Sequence, residues 1–314
     1  MTNKKLLNEF KNPGAAYRGK PFWSWNGELE KNELIRQTHV MKEMGFGGYF
    51  MHSRAGLITE YLGDDWFDMI NAVADESEKI GMEAWLYDED RWPSGSAGGK
   101  VTVDPQYRMM SLVLTEVPPE EYAPCGDDLA VFYGRVDGFN IYEYEELKDG
   151  AVPEAREGWK VLRFTVVPDR PSSGYNGTTY IDTMSLKATQ RFIELTHEEY
   201  LKRCGDRIGR SIKGIFTDEP HRGHLLDNLG VNGSVRTCSL CYTDDFFEEF
   251  EKRYGYSARA ILPEIYYNKD GRKIWPVKHD IVDLSEAPVP GTFREADKRL
   301  VHTARHRVYG PRAA

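Results

Sequence analysis

The 314-residue sequence contains no apolar run approaching the ~20 residues that cross a bilayer, so a membrane partner is not expected. Its start, Met1-Thr2-Asn3-Lys4-Lys5-Leu6-Leu7, carries charge without the apolar core of a secretory leader. Four cysteines (Cys125, Cys204, Cys238, Cys241) are too few to staple a chain of this length into a disulfide framework. These absences set the expectation of a cytoplasmic protein. Basic excess is missing too: the net charge of −9 argues against nucleic acid, which needs a positive footprint. No Gly-rich phosphate loop follows the first predicted strand, so nucleotide binding lacks support. Cys238-Ser239-Leu240-Cys241 has no second ligand pair for a structural zinc. Thr196-His197-Glu198-Glu199-Tyr200 lacks the second histidine of a zinc-protease helix.

What is present begins with aromatics and acids. Seven Trp and eighteen Tyr accompany a hydrophobic content of 40%, enough for a sizeable core. The first hundred residues alternate strand-like and helix-like segments. Pro21 to Asn26 is a short aromatic strand, and Glu30 to Met44 reads as a helix stopped by Gly45. Gly47 to His52 is the next strand, followed by a helix from Asp64 to Gly81 and a third strand from Glu83 to Tyr87. Such spacing indicates parallel strands joined by right-handed crossovers.

From about Ser111 to Tyr180 the segments become short and antiparallel in character, with turns at Gly126-Asp127-Asp128 and Lys148-Asp149-Gly150. Strand–helix grammar returns with a helix over Lys187–Cys204, a strand over Ile212–Thr217 and a helix over Asp244–Tyr254. The expected fold is α/β of the (β/α)8 TIM-barrel type, incomplete, with about the first four βα units and a β-rich insertion after the third strand. The expected boundaries are 15–105 for the first barrel part, 106–186 for the insertion and 187–280 for the barrel continuation. Residues 287–314 carry six Lys/Arg against two acids and show neither helical nor strand period. A one-base frame shift from Ala287 would allow an amphipathic helix, a Gly break and an apolar strand instead, continuing the upstream pattern.

Polar and aromatic residues gather where each predicted strand ends, the edge at which parallel α/β folds do chemistry. Trp25-Asn26, His52 with Arg54, Asp88-Glu89-Asp90-Arg91-Trp92 and Asp218-Glu219-Pro220-His221 occupy these ends. Adjacent carboxylates repel, so three in a row at a strand end need a use such as proton transfer, metal binding or recognition of hydroxyls. Rings among acids suit a polyhydroxylated ligand, which points to carbohydrate. Glu219 is the candidate general acid, its proton affinity expected to rise through partial burial and the neighbouring Asp218. Alternation sends Asp88 and Asp90 to one side of the strand and Glu89 to the other. Each is a candidate for substrate hydroxyls, as is Asn26; His52 and Arg54 are candidates for hydroxyls or a carboxylate, and His221 is a further candidate at the site. Trp92 is a stacking platform or a loop anchor. Trp23 and Trp25 share one face and either floor a sugar site or fill the barrel base.

The runs Lys20-Pro21-Phe22-Trp23-Ser24-Trp25-Asn26, Gly47 to Arg54, Leu86 to Gly95 and Ile215 to Pro220 resemble the N-terminal half of glycoside hydrolase family 106, the α-L-rhamnosidase-like proteins. The resemblance covers roughly residues 15 to 275. It is most specific in Asp-Glu-Asp-Arg-Trp-Pro-Ser-Gly and Phe-Thr-Asp-Glu-Pro. It implies an inverting, calcium-assisted hydrolysis on a (β/α)8 barrel in chains much longer than this one, with a second catalytic carboxylate in the other half. The expected alternatives are a non-catalytic carbohydrate-binding chain and a metal-dependent sugar isomerase on a similar barrel.

Overall fold

In the computed structural model, residues 3–148, 150–222, 239–272 and 275–286 are described. The basic tail, the frame-shift expectation and Cys238 lie outside them. The strands in chain order are β1 (Phe22–Gly27), β2 (Gly48–Leu57), β3 (Glu83–Tyr87), β4 (Met110–Val117), β5 (Asp128–Asp137), β6 (Asn140–Glu146), β7 (Trp159–Pro168), β8 (Ile212–Phe216), β9 (Ser239–Tyr242) and β10 (Asn268–Lys269). The helices are α1 (Asn3–Lys11), α2 (Lys31–Glu43), α3 (Asp64–Ile80), α4 (Leu186–Ile193), α5 (Glu199–Cys204), α6 (Phe246–Tyr254), α7 (Leu262–Tyr266) and α8 (Pro276–Glu286).

One sheet is parallel, in the order β1-β2-β3-β8. Period-two alternation divides its side chains cleanly. Trp23 and Trp25, Tyr49 and Met51, and Ala84 and Leu86 share a buried core with Leu34 and Met41 of α2 and Trp66, Phe67, Ile70 and Val73 of α3. The Trp25 and Trp66 rings meet edge-on at 5.2 Å, and Trp23 Nε1 donates to Gln37 Oε1 at 2.8 Å. Neither tryptophan can floor a ligand site. The alternate residues of β1, namely Phe22, Ser24 and Asn26, occupy the opposite face and are exposed.

That opposite face is concave. The rings of Phe22 on β1 and Phe216 on β8 are 5.7 Å apart. Three strand-to-strand steps of about 4.8 Å would separate them by roughly 14 Å in a flat sheet. The sheet therefore curls sharply away from its helices, as the first strands of a βα barrel do. Among the described residues the curl does not close, so the shown fold is mixed α/β with a curled parallel sheet.

The second sheet has the order β10-β6-β5-β7-β4-β9, antiparallel over β4 to β7, and follows β3 as the expected insertion does. It also captures the later chain. β9 pairs antiparallel with β4, setting Tyr242 against Met110, and Phe246 and Phe250 of α6 join Leu112, Phe132 and Phe164 in one core with Ile265 and Ile281. Within the expected barrel continuation over 187–280, β8 joins the parallel sheet, whereas residues 239–272 and 275–286 build on the antiparallel one. A helical stripe of Phe246 and Phe250 states that a helix buries one side, but not which sheet receives it.

Asp182 lies buried where the sheets adjoin, its Oδ1 accepting the backbone N–H groups of Met184 and Ser185 at 2.9 and 3.2 Å. Burial pushes its carboxyl up to about 6. The folded state then holds this proton more tightly than the unfolded chain, so stability falls as pH rises between about 4 and 6 and stays lower above. Asp182→Asn keeps the acceptor oxygen and removes the charge. Urea unfolding should show a gain of up to about 2 kcal/mol at neutral pH that vanishes near pH 4. An equal effect at both pH values would refute this account.

Candidate active site

The concave face is paved with rings. Phe22, Phe50, Trp85 and Phe216 form a continuous floor, with Phe22 to Phe50 at 5.7 Å and Phe50 to Trp85 and to Phe216 at 5.6 Å each. Gly214 makes room for it, because a Cβ there would stand 2.5 Å from the Trp85 ring. Phe22 is 56% exposed, an unusual state for a phenylalanine surrounded by other rings.

Polar groups follow the rings toward the C-terminal strand ends. His52 stacks on Tyr87 at 3.8 Å and its Nε2 lies 2.8 Å from Glu89 Oε1. Both members of that pair are buried. Desolvation raises the Glu89 carboxyl above its ordinary range, opposed by its bond to His52 and reinforced by the charges of Asp218 and Asp88. Tyr87 donates its hydroxyl to Asp218 Oδ2 at 2.5 Å, and burial together with that bond raises the phenol strongly. Register places Tyr87 opposite Phe216. Glu89 and Asp218 are consequently neighbours on adjacent strand ends.

Asp88 and Asp90 lie on the other side of the strand, as alternation requires. Asp88 has no exposed surface and accepts from His197 Nε2 at 2.8 Å, Ser94 Oγ at 2.5 Å and Thr217 Oγ1 at 2.6 Å. Asp90 accepts from Ser53 Oγ and, at 2.8 Å, from Asn176 Nδ2. The lone pairs of Asp88 serve the protein's own donors and turn it to the interior, whereas Asp90 keeps an edge on the cleft it lines with Tyr61, Arg91 and Asn176. A π turn at Glu194–Glu198 interrupts the helix between α4 and α5 and buries the consecutive Thr196 and His197. Ser94 fastens the loop after β3 to the end of β8. Its Oγ accepts from the backbone N–H of Asp218 at 2.9 Å, and its own N–H donates to the Asp218 carbonyl at 3.0 Å.

Glu219 departs from expectation in one respect: it is exposed rather than partly buried. Its φ of +44° carries the backbone out of strand geometry directly after Asp218. That left-handed conformation is costly for a residue with a Cβ and is typical of functional positions. Asn26 and Arg54 are exposed at the ends of β1 and β2, and Trp92 is 53% exposed. His221 stacks on Tyr180 at 4.5 Å, and its carbonyl accepts from Thr183 Oγ1 at 2.7 Å. Phe22, Phe50, Trp85, Tyr87 and Phe216 were not singled out from the sequence; the alternation opposite Trp23 and Trp25 is the signal that finds them.

The family resemblance implies a calcium ion. Calcium takes six to eight converging oxygens. Here Asp88 and Asp90 already accept from protein donors, and no group of three or more acidic, His or Cys side chains among the described residues is placed to hold a metal. These residues do not fit that ion.

No family model matches the chain. A protein of Formosa agariphila named "Putative beta-glucuronidase" is 22% identical over a 360-residue alignment that covers 93% of this chain and 29% of that protein. The structure of a rhamnosidase from Novosphingobium sp. PP1Y superposes with a TM-score of 0.60 at 13% identity, covering 95% of this chain and 46% of the other. Both likenesses are to glycosidases. The chain spans less than half the length of either, and identity this low shows the fold and leaves activity, family and sugar to inference. No helix among the described residues is long and apolar enough to cross a membrane.

Proposed function

We propose that this chain carries the aromatic floor and proton donor of a glycoside hydrolase of the α-L-rhamnosidase-like type. The observation that carries the reading is the curled inner face, on which four rings lead to Glu89, His52, Asp218 and Glu219 at the C-terminal strand ends. A pyranose ring has apolar faces that stack on such a floor and hydroxyls that donate to such carboxylates. In this reading Glu219 gives its proton to the glycosidic oxygen as the bond to the anomeric carbon breaks. A water oxygen attacks that carbon from the opposite side and surrenders its own proton to a second group. Aryl glycosides test the reading directly: release of aryl alcohol supports it. Sugar binding without release marks the non-catalytic alternative, and a product of unchanged mass marks an isomerase.

A second sugar class is favoured by one observation. Arg54 is exposed two residues beyond His52 on β2 and makes no hydrogen bond or ion pair among the described residues, whereas Arg207, Arg163 and Arg259 are all paired with acids. An uncommitted guanidinium at the rim suits a uronate carboxylate, in keeping with the name of the Formosa relative. Arg54→Met should raise KM for an aryl glucuronide at least tenfold, about 1.4 kcal/mol of binding, and leave an aryl rhamnoside unaffected. Equal effects on both substrates would remove Arg54 from recognition.

A further inference from the structure

The hydrolytic reading needs, besides the acid Glu219, a group to take the proton from water. The concave face holds a candidate. Residue 52 is on the inner alternation of β2, its ring 5.9 Å from the exposed Phe22 and stacked on Tyr87. Only one ring nitrogen has a partner: Nε2 meets Glu89 at 2.8 Å. Nδ1 makes no hydrogen bond among the described residues, yet it is not among the sealed polar atoms that lack a partner, in contrast to Nδ1 of the buried His197. The imidazole is thus gripped on its ring face and at one nitrogen, with the other nitrogen open.

The geometry points to a dyad in which His52 accepts the proton of the attacking water through Nδ1 and Glu89 is its positioning residue. The inference rests on the hydrolytic reading of this site. An ionised Glu89 accepts from Nε2–H, which leaves the Nδ1 lone pair free, the same logic by which a carboxylate orients a catalytic histidine elsewhere. As the water oxygen bonds to the anomeric carbon, its proton passes to Nδ1. The bonding pair of the broken C–O bond goes to the leaving oxygen, which takes the proton of Glu219. The Tyr87 ring beneath fixes the plane of the imidazole, and Asp218, held by the Tyr87 hydroxyl, stands beside Glu89 on the next strand. Glu89 is bound to the ring at Nε2 and acts on the water only through the imidazole.

Kinetics and spectroscopy test the dyad separately. His52→Gln should lower kcat about 10²–10⁴-fold with little change in KM. Sodium azide, a nucleophile with no proton to lose, should restore turnover and yield the glycosyl azide. Glu89→Gln should cost about 10- to 100-fold, and the double variant should be no worse than His52→Gln alone. Multiplying effects, or failure of azide to rescue a folded His52→Gln protein, would overturn the proposal. Long-range 15N spectra of the histidine-labelled wild-type chain, with His52 assigned by its loss in His52→Gln, should show the proton on Nε2 and a bare Nδ1 at neutral pH. A proton on Nδ1 would overturn it whatever the activity. A wild-type chain silent on every aryl glycoside refutes the hydrolytic reading instead, and the tautomer then decides whether the dyad exists.

Discussion

Glutamine in place of Glu219 is expected to lower kcat on an aryl glycoside by about 10²–10⁴-fold while melting temperature and sugar affinity stay near wild type. The separation of effects follows from position. Glu219 is exposed beyond the end of β8, so its side chain supports no core, and the amide preserves shape and hydrogen bonding. What the amide cannot do is release a proton to the leaving oxygen. The left-handed backbone is unchanged by the substitution, since Gln tolerates φ of +44° no better and no worse than Glu. Substrates whose aryl leaving group needs no protonation should suffer least. Full activity on a poor leaving group would transfer the role to Asp218.

Alanine in place of Asp88 is expected to cost about 3–5 kcal/mol of stability, enough to unfold a marginal domain at growth temperature. The carboxylate is fully buried and accepts three bonds, one each from the helix pair α4–α5, the loop after β3 and the end of β8. Removing it orphans the buried His197 donor, leaves Ser94 only the longer contact to Glu89 Oε2 at 3.4 Å, and strips the half-buried Thr217 of its acceptor, so each group adds part or all of its desolvation penalty. Asp88→Asn retains one acceptor oxygen and should be intermediate. Urea melts of the three proteins, followed by circular dichroism, check the order. A loss below about 1 kcal/mol for the alanine variant would show that the network does not hold these elements together.

The contrast between these substitutions was only partly legible in the sequence. Strand and helix periods marked the first three parallel strands, β8 and the helices between them, because amphipathic spacing is a local property. Strand-end position singled out Asp218, Glu219, His52 and Arg54, since parallel α/β sheets place polar groups there. Alternation separated Glu89 from Asp88 and Asp90. It did not reveal which side was inside, because an alternating strand has two faces and both of these are rich in aromatics. Trp23 and Trp25 looked as suitable for sugar as Phe22 does, and only the packing of α2 and α3 against the tryptophans decides between them.

Local periods thus specify the local units: parallel strand–helix repeats, short antiparallel strands after β3 and acids at the strand ends. Tertiary structure decided the assignments that depend on distant partners. His197, more than a hundred residues downstream, claims Asp88 for the interior, β9 returns to β4 and takes α6 to the antiparallel sheet, and the curl brings Phe22 against Phe216. The physical reason is common to all three. Burial and hydrogen bonding are settled by which surfaces meet, and hydrophobic period encodes that a surface is to be covered without naming what covers it.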